Sequence, residues 1–306
     1  LTSLKTWFEA YRETTRSVHG TFNSIGTWTH RMSHVAPNMG NIAAKKSIKY
    51  KGKELKALAA DLGGRMRKLW RCAPLEADVS SDLHWLVGTD ADGIQLRILA
   101  HYMEDERFTE ALINGDSSKG TDAHSLNRRA LGEDICKSRD TAKTFIYAWL
   151  LGAGIPKIAD ILGCTIQQAT MAVQKFIKFY PGLERLKNEI IPKDASQGYF
   201  IGLDGRVVFC KSRHLMLAGY LQNGEVCVMK HALVLWDKQA RDQRIKFTLR
   251  NFVHDEWQSS VRGSKQSAQL LGDLQAKAIE DTGVHLAMKC PLKGNYKIGK
   301  NWLDTH

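Results

Sequence analysis

The segment Thr89-Asp90-Ala91-Asp92-Gly93-Ile94-Gln95-Leu96-Arg97-Ile98-Leu99-Ala100-His101 follows directly on His84-Trp85-Leu86-Val87-Gly88. The change of pattern between these two stretches decides the fold. The first is a short apolar run of the kind a buried strand presents, and it gives out at Thr89-Asp90. In the second, Ile94, Leu96, Leu99, Ala100 and Met103 recur with helical period. A strand that stops at a carboxylate and turns into a helix leaves Asp90 at the end of a sheet, where its oxygens can reach a ligand.

Working outward, the pattern from Phe108 to about Leu186 is almost wholly helical. Arg139 to Leu151 is the clearest helix, with Ala142, Ile146 and Trp149 on one stripe; Ile155–Leu162 and Ile166–Phe179 follow, the last stopped by Pro181-Gly182. Gly202-Leu203-Asp204-Gly205-Arg206-Val207-Val208 reads as a turn entering a strand. Lys246 to Arg250 alternates like a half-buried strand and runs into Val253-His254-Asp255-Glu256. Ser264 caps a helix that reaches Asp281 and is closed by Gly283. The first sixty residues read as loop-rich and basic. Strand and helix, then a helical insertion, then strands and a helix make an α+β fold: an antiparallel sheet interrupted by an all-helical subdomain.

The chain has 306 residues, 43% of them hydrophobic and 25% charged, enough for one large core or two packed subdomains. No apolar run approaches the ~20 residues of a membrane-spanning helix. Lysine and arginine number 44 against 32 acids, a net charge of +12, which suits a polyanionic partner. The run Ala43-Ala44-Lys45-Lys46-Ser47-Ile48-Lys49-Tyr50-Lys51 reads as a solvated surface able to lie along such a partner. Six scattered cysteines form no C-x-x-C pair and have no histidine at zinc spacing, so they read as reduced core residues of a cytosolic protein.

Two constellations carry chemistry. Asp90 and Asp255 both stand where a predicted strand gives out. Carboxylates at neighbouring strand ends suit hard cations such as Mg²⁺, and two such ions serve in-line phosphoryl displacement. Taken singly, each is also an ordinary strand-end acid. Arg139, Lys143, Tyr147 and Leu151 are spaced by four and form one stripe on a helix. The two cations at its start can grip a triphosphate, which a helix N-terminus also favours. Without other motifs, the same stripe reads as a solvated basic face.

Read together, these stretches resemble the motifs of family A (polymerase-I-like) DNA polymerases. Thr89 to His101 resembles motif A, Arg139-Asp140-Thr141-Ala142-Lys143-Thr144-Phe145-Ile146-Tyr147 resembles motif B on the O helix, and Val253-His254-Asp255-Glu256 resembles motif C. Thr29 to Ser33 with Pro37 to Ile42 is similar to T-G-R-L-S and P-N-L-x-N-I. Asp122-Ala123-His124 is similar to the D-x-H before the O helix, Leu203 to Arg206 and Gln222 match positions before motif C, and Lys297 to Trp302, ending at His306, is similar to the phage replicative branch.

The resemblance implies a palm in residues 1–107 and 215–306 and a fingers insertion in 108–214. It implies an enzyme in the cytoplasm of a bacterial or phage-infected cell, with two Mg²⁺ ions, primer–template DNA and deoxynucleoside triphosphates as cofactors and partners. By the same resemblance Asp90, Asp255 and the carbonyl of Ala91 bind the metals. Lys143 holds the triphosphate with His124 and Arg139 and protonates the departing pyrophosphate. Tyr147 and Gln95 meet the sugar, Arg31, Gln222 and His254 touch the duplex, Arg67 either does likewise or is a surface charge, and Glu256 is an auxiliary acid near the primer end. It further implies a thumb and an exonuclease that are separate or missing: thirty residues precede Arg31 and no Asp-x-Glu occurs.

Four positions depart from the family pattern: Gln95 replaces a glutamate, Leu151 a tyrosine, Ala218 an asparagine and His30 a glycine. Two other readings share part of the pattern. A single-subunit RNA polymerase shares the Asp, Arg/Lys/Tyr and His-Asp skeleton, but Leu96-Arg97-x-x-Ala100-His101 and the Glu after Asp255 match the DNA enzymes. A polymerase-derived DNA-binding accessory subunit is expected to lose metal carboxylates, and both are present.

Overall fold

The computed structural model describes residues 2–40, 42, 62–72, 83–210 and 212–306, so the basic run at 43–51 lies outside them. Four strands and six helices position the site: β1 (His84–Ala91), β2 (Phe247–Val253), β3 (Glu256–Arg262) and β4 (Gly294–Gly299), with α1 (Ile94–Met103), α2 (Ala123–Leu131), α3 (Arg139–Leu150), α4 (Ile166–Phe179), α5 (Met216–Asp242) and α6 (Lys265–His285). The fold is α+β, and the chain divides into two compact units. The first holds Leu1–Asp92, Val228–Thr282 and Leu292–His306; the second holds Gly93–Cys227 and Gly283–Pro291.

The first unit is built on an antiparallel sheet ordered β4-β1-β3-β2. The strand expected over His84–Gly88 continues to Ala91 because both neighbours keep pairing with it: Asp90 lies opposite Glu256 on one side and Asn295 on the other. All but the last residue of β3 is buried. Trp257 of this strand is fully buried, with Trp236 at 5.7 Å and Phe252 at 6.1 Å between ring centroids. Helix α6 covers the sheet through Ala268, Leu271, Ala278 and Ile279, and two glycines allow its close approach. A Cβ on Gly294 would stand 2.5 Å from Ala276 Cα. A buried polar relay crosses the same layer: Thr89 Oγ1 donates to Gln275 Oε1 (2.7 Å), and Gln275 Nε2 donates to Ser259 Oγ (2.9 Å). Each group would be costly unpaired.

A second apolar cluster in this unit gathers Trp7, Met39, Ile42, Met66, Cys72, Leu86 and Trp302. The N-terminal region is less loop-like than its composition suggested, since Thr2–Ala10 is helical and two short hairpins follow, including Thr21–Asn23 with Ser33–Val35.

The second unit is mostly helical. Its aromatic core is a chain of edge-on rings, Phe145–Phe176 at 5.2 Å, Phe176–Tyr180 at 5.5 Å and Phe108–Tyr180 at 5.3 Å. The buried Tyr180 hydroxyl is satisfied by Asn127 Oδ1 at 2.8 Å. Helix starts follow capping chemistry: Ser138 caps α3, and Thr165 with Gln168 forms a capping box on α4. The turn at Gly202–Gly205 joins a hairpin of Tyr199–Ile201 with Val207–Phe209.

Candidate active site

The acidic half lies in the first unit, at one end of its sheet. Val253 and Glu256 pair across a two-residue turn made by His254 and Asp255, and His254 takes the left-handed conformation (φ 54°). This turn meets the end of β1, where Ala91 N–H donates to the Asp255 carbonyl at 3.0 Å. Motifs A and C are thereby joined by one backbone hydrogen bond. The Asp90 side chain opens to solvent on its outer side, while the sheet crowds it on the other. Desolvation by that crowding, followed by the facing Glu256 carboxylate, pushes the Asp90 carboxyl up to about 6. Acids assembled against their mutual repulsion accommodate a cation readily. Asp90, Asp255 and the Ala91 carbonyl offer only oxygen donors, which fits Mg²⁺. Among the described residues no trio of His, Cys, Asp or Glu side chains converges, so water and substrate oxygens would complete the ligand set.

Glu256 is 7% exposed, and its oxygens are engaged within the unit. Trp302 Nε1 donates to Oε1 at 2.6 Å, Gln258 Nε2 donates to the same oxygen, and His306 Nδ1 lies 2.9 Å from Oε2. This is a braced carboxylate behind Asp90. Arg67 is also inward: it is 6% exposed, with its guanidinium 5.3 Å from the centre of the Trp302 ring. It is therefore not a surface charge. Arg31 is half-buried on the loop beside the Ser33–Val35 strand, after His30 at φ 64°. The left-handed backbone accounts for the glycine that the family usually places at 30. Lys230 Nζ fixes this loop by donating to the His30 carbonyl at 3.0 Å.

The cationic half lies in the second unit, at the starts of α2 and α3. Asp122 caps α2, accepting from Ser125 and His124 N–H, and takes a bidentate ion pair from Arg139 (Nε at 3.0 Å and Nη2 at 2.6 Å from Oδ2). Burial alone would raise the Asp122 carboxyl, but the bonds from Arg139 and Ser125 outweigh it and hold the group at about 2. The His124 ring stands 6.1 Å from the Tyr147 ring. Desolvation first, then the positive charge of Arg139, lowers His124 to about 4, so its imidazole is neutral at pH 7. Its Nδ1 is buried without a hydrogen-bond partner among the described residues. Lys143 is exposed one turn beyond Arg139. Four sequence-predicted residues thus gather in this unit: His124 at the start of α2, Arg139 and Lys143 in the first turns of α3, and Tyr147 further along α3.

Gln95 lies on α1. Its Nε2 donates to Glu225 Oε2 at 3.0 Å, and Glu225 is 1% exposed. Gln222 lies one turn before it on α5, partly exposed, and Ala218 is buried. Leu151 ends α3 and is 49% exposed. Asp122, Trp302 and His306 stand in the quoted motifs without a role of their own, and Glu225 stands in none. Asp122 had a signal, the acid two residues before His124; the others are contacts between distant positions that no spacing reveals.

The family model for DNA polymerase family A matches residues 2–304. The chain belongs to DNA polymerase family A. Among curated proteins it is 30% identical to a DNA-directed DNA polymerase of Escherichia phage Phieco32 (72% of this chain, 40% of that protein). It is 28% identical to that of Escherichia phage T7 (99% and 43%), and 24% identical to DNA polymerase I of Geobacillus stearothermophilus (95% and 32%). The chain therefore spans less than half the length of these relatives. Its fold matches the POL domain of Pol1 from M. smegmatis, solved in complex with DNA primer-template and dNTP, with a TM-score of 0.78 at 19% identity over 99% of this chain and 51% of that one.

Proposed function

We propose that the chain carries the nucleotidyl-transfer centre of a template-directed DNA polymerase, which joins a primer 3′-hydroxyl to the α-phosphate of a deoxynucleoside triphosphate and releases pyrophosphate. The observation that carries this reading is the pair of half-sites. In one unit the segments carrying Asp90 and Asp255 are joined by the Ala91–Asp255 hydrogen bond, and the other brings His124 at the start of α2 near Arg139, Lys143 and Tyr147 along α3. Residues 1–107 and 215–306 are then the palm and 108–214 the fingers.

In this reading Asp90, Asp255 and the Ala91 carbonyl hold two Mg²⁺ ions, which when bound supply charge stabilisation to the transferring phosphoryl group. Arg139 and Lys143 hold the triphosphate, and Lys143, free of any carboxylate partner among the described residues, donates the proton that the leaving pyrophosphate needs. His124, neutral at pH 7, binds phosphate oxygens as a hydrogen-bond donor. Tyr147 and Gln95 orient the sugar. Arg31, Gln222 and His254 touch the primer–template, where the minor groove offers similar acceptors at every base pair. Glu256 and Arg67, both buried, brace the acidic end from behind.

The test is extension of a primed template with deoxynucleotides or ribonucleotides in Mg²⁺. Templated addition of deoxynucleotides is the expected result. Preference for ribonucleotides, or DNA binding without extension, would point to the RNA-polymerase or accessory-subunit reading.

A further inference from the structure

The triphosphate half of the site contains an acid for which the reaction itself has no use. Asp122 is 12% exposed and faces Arg139, a cation meant for phosphate. Its carboxylate is saturated: Oδ1 accepts from Ser125 N–H, from Ser125 Oγ at 2.5 Å and from Arg139 Nε at 3.2 Å, while Oδ2 accepts from His124 N–H, Arg139 Nε at 3.0 Å and Nη2 at 2.6 Å. A negative charge there offsets part of the pull of Arg139 on an anionic ligand. The geometry shows what is gained in return.

A guanidinium is planar and presents its donors along distinct edges. The Nε–Nη2 edge of Arg139 is committed to Asp122, and Nη1 has no hydrogen bond among the described residues. Arg139 is 38% exposed, so the uncommitted edge can meet a ligand while the committed one stays fixed. The same carboxylate caps the helix that carries His124 and grips the helix that carries Arg139, Lys143 and Tyr147. It thus ties the phosphate-binding groups into one array before any nucleotide arrives.

We infer that Asp122 is a positioning residue for the triphosphate: it keeps its pair with Arg139 when nucleotide binds, and so turns the Nη1 edge toward the phosphate oxygens. This rests on the reading of Arg139 as a triphosphate ligand. Binding then proceeds without exchange of partners, and the rotamer entropy of a long side chain is already lost.

Single-nucleotide extension kinetics on a primed template test it, using D122N, R139A, the double variant and S125A, each checked for wild-type far-UV circular dichroism at the assay temperature. Asparagine can still cap α2 and still accept one bond from Arg139. D122N should raise KM for all four deoxynucleotides about tenfold with kcat within about threefold. The double variant should be no worse than R139A, since both changes remove one interaction. S125A, which spares the ion pair, should leave KM within about twofold. A KM that is unchanged or lowered in D122N would overturn the inference, the second outcome meaning that Asp122 withholds Arg139 instead of aiming it. Full additivity with R139A, or an S125A effect as large as that of D122N, would overturn it too. R139A with a wild-type KM would instead overturn the triphosphate reading on which the inference stands.

Discussion

The two half-sites solve opposite electrostatic problems with opposite materials. At the end of the sheet, acids are brought together against their repulsion, and the framework that does this is backbone pairing and a buried relay. Asp90 faces Glu256 in register, Ala91 bonds to the Asp255 carbonyl, and Trp302, Gln258 and His306 brace Glu256. At the helix starts, cations are gathered on side chains that remain largely accessible, and a single carboxylate, Asp122, organises them. The comparison teaches where each half is vulnerable. The acidic half depends on charge at fixed points of a rigid sheet, so removing one carboxylate should be all-or-none. The cationic half depends on aim, so its losses should be graded.

The largest effect should come from the rigid half. Asp90→Asn or Asp255→Asn should lower extension in Mg²⁺ by about a thousandfold or more while circular dichroism and DNA binding stay near wild type. Residual activity within tenfold of wild type would remove these residues from the metal site. In the cationic half, Lys143→Ala should cost about a hundredfold in kcat if it supplies the leaving-group proton. A KM effect with kcat unchanged would reduce Lys143 to a ligand.

The ion pair of the cationic half also has a signature in stability. The Asp122 carboxyl sits at about 2 in the folded chain, below the ordinary value near ~4. Its contribution is therefore complete above pH ~4 and lost as pH falls through 2, most of it by pH 2.5, and screening by solvent at this partly open pair holds it to about 1 kcal/mol. Urea melts at pH 5 and pH 2.5 should show that decrement in the wild-type chain and little of it in Asp122→Asn. An equal decrement in both would assign the acid sensitivity elsewhere. The smallest effect is expected at Leu151, whose exposed side chain ends α3 where the family places a tyrosine. Leu151→Tyr should lower misincorporation roughly three- to tenfold, the worth of an aromatic stacking contact; unchanged fidelity would mean a pocket rebuilt around leucine.

The sequence made the chemistry-bearing elements legible because local patterns announce them. Helices at Ile155–Leu162 and Ile166–Phe179 stand where period and caps put them. The strand before Asp90 reads short because its apolar run gives out at Thr89-Asp90, whereas its true end depends on two pairing partners far along the chain. Helix α6 runs past Gly283 to His285, since a glycine costs a helix only about 1 kcal/mol and buried Ile279 and Thr282 hold the last turns. The 27-residue helix α5 was not anticipated. It is buried around much of its circumference, from Leu217, Leu221 and Val228 to Met229, and so lacks the one-sided stripe that marks a surface helix. At the site, motif residues were readable and their supports were not. Asp122, Glu225 and the Trp302–His306 tail act through contacts that only folding creates.

The central proposal is that nucleotidyl transfer by this chain requires both the acidic sheet end and the cationic helix pair. Its most direct test is single-turnover extension of a radiolabelled primer by the chain itself, with one correct deoxynucleotide, in Mg²⁺ and in excess EDTA. The account predicts addition of the templated nucleotide that requires the metal and vanishes in both Asp255→Asn and Arg139→Ala. Metal-independent addition, or full activity with either half disabled, would contradict it.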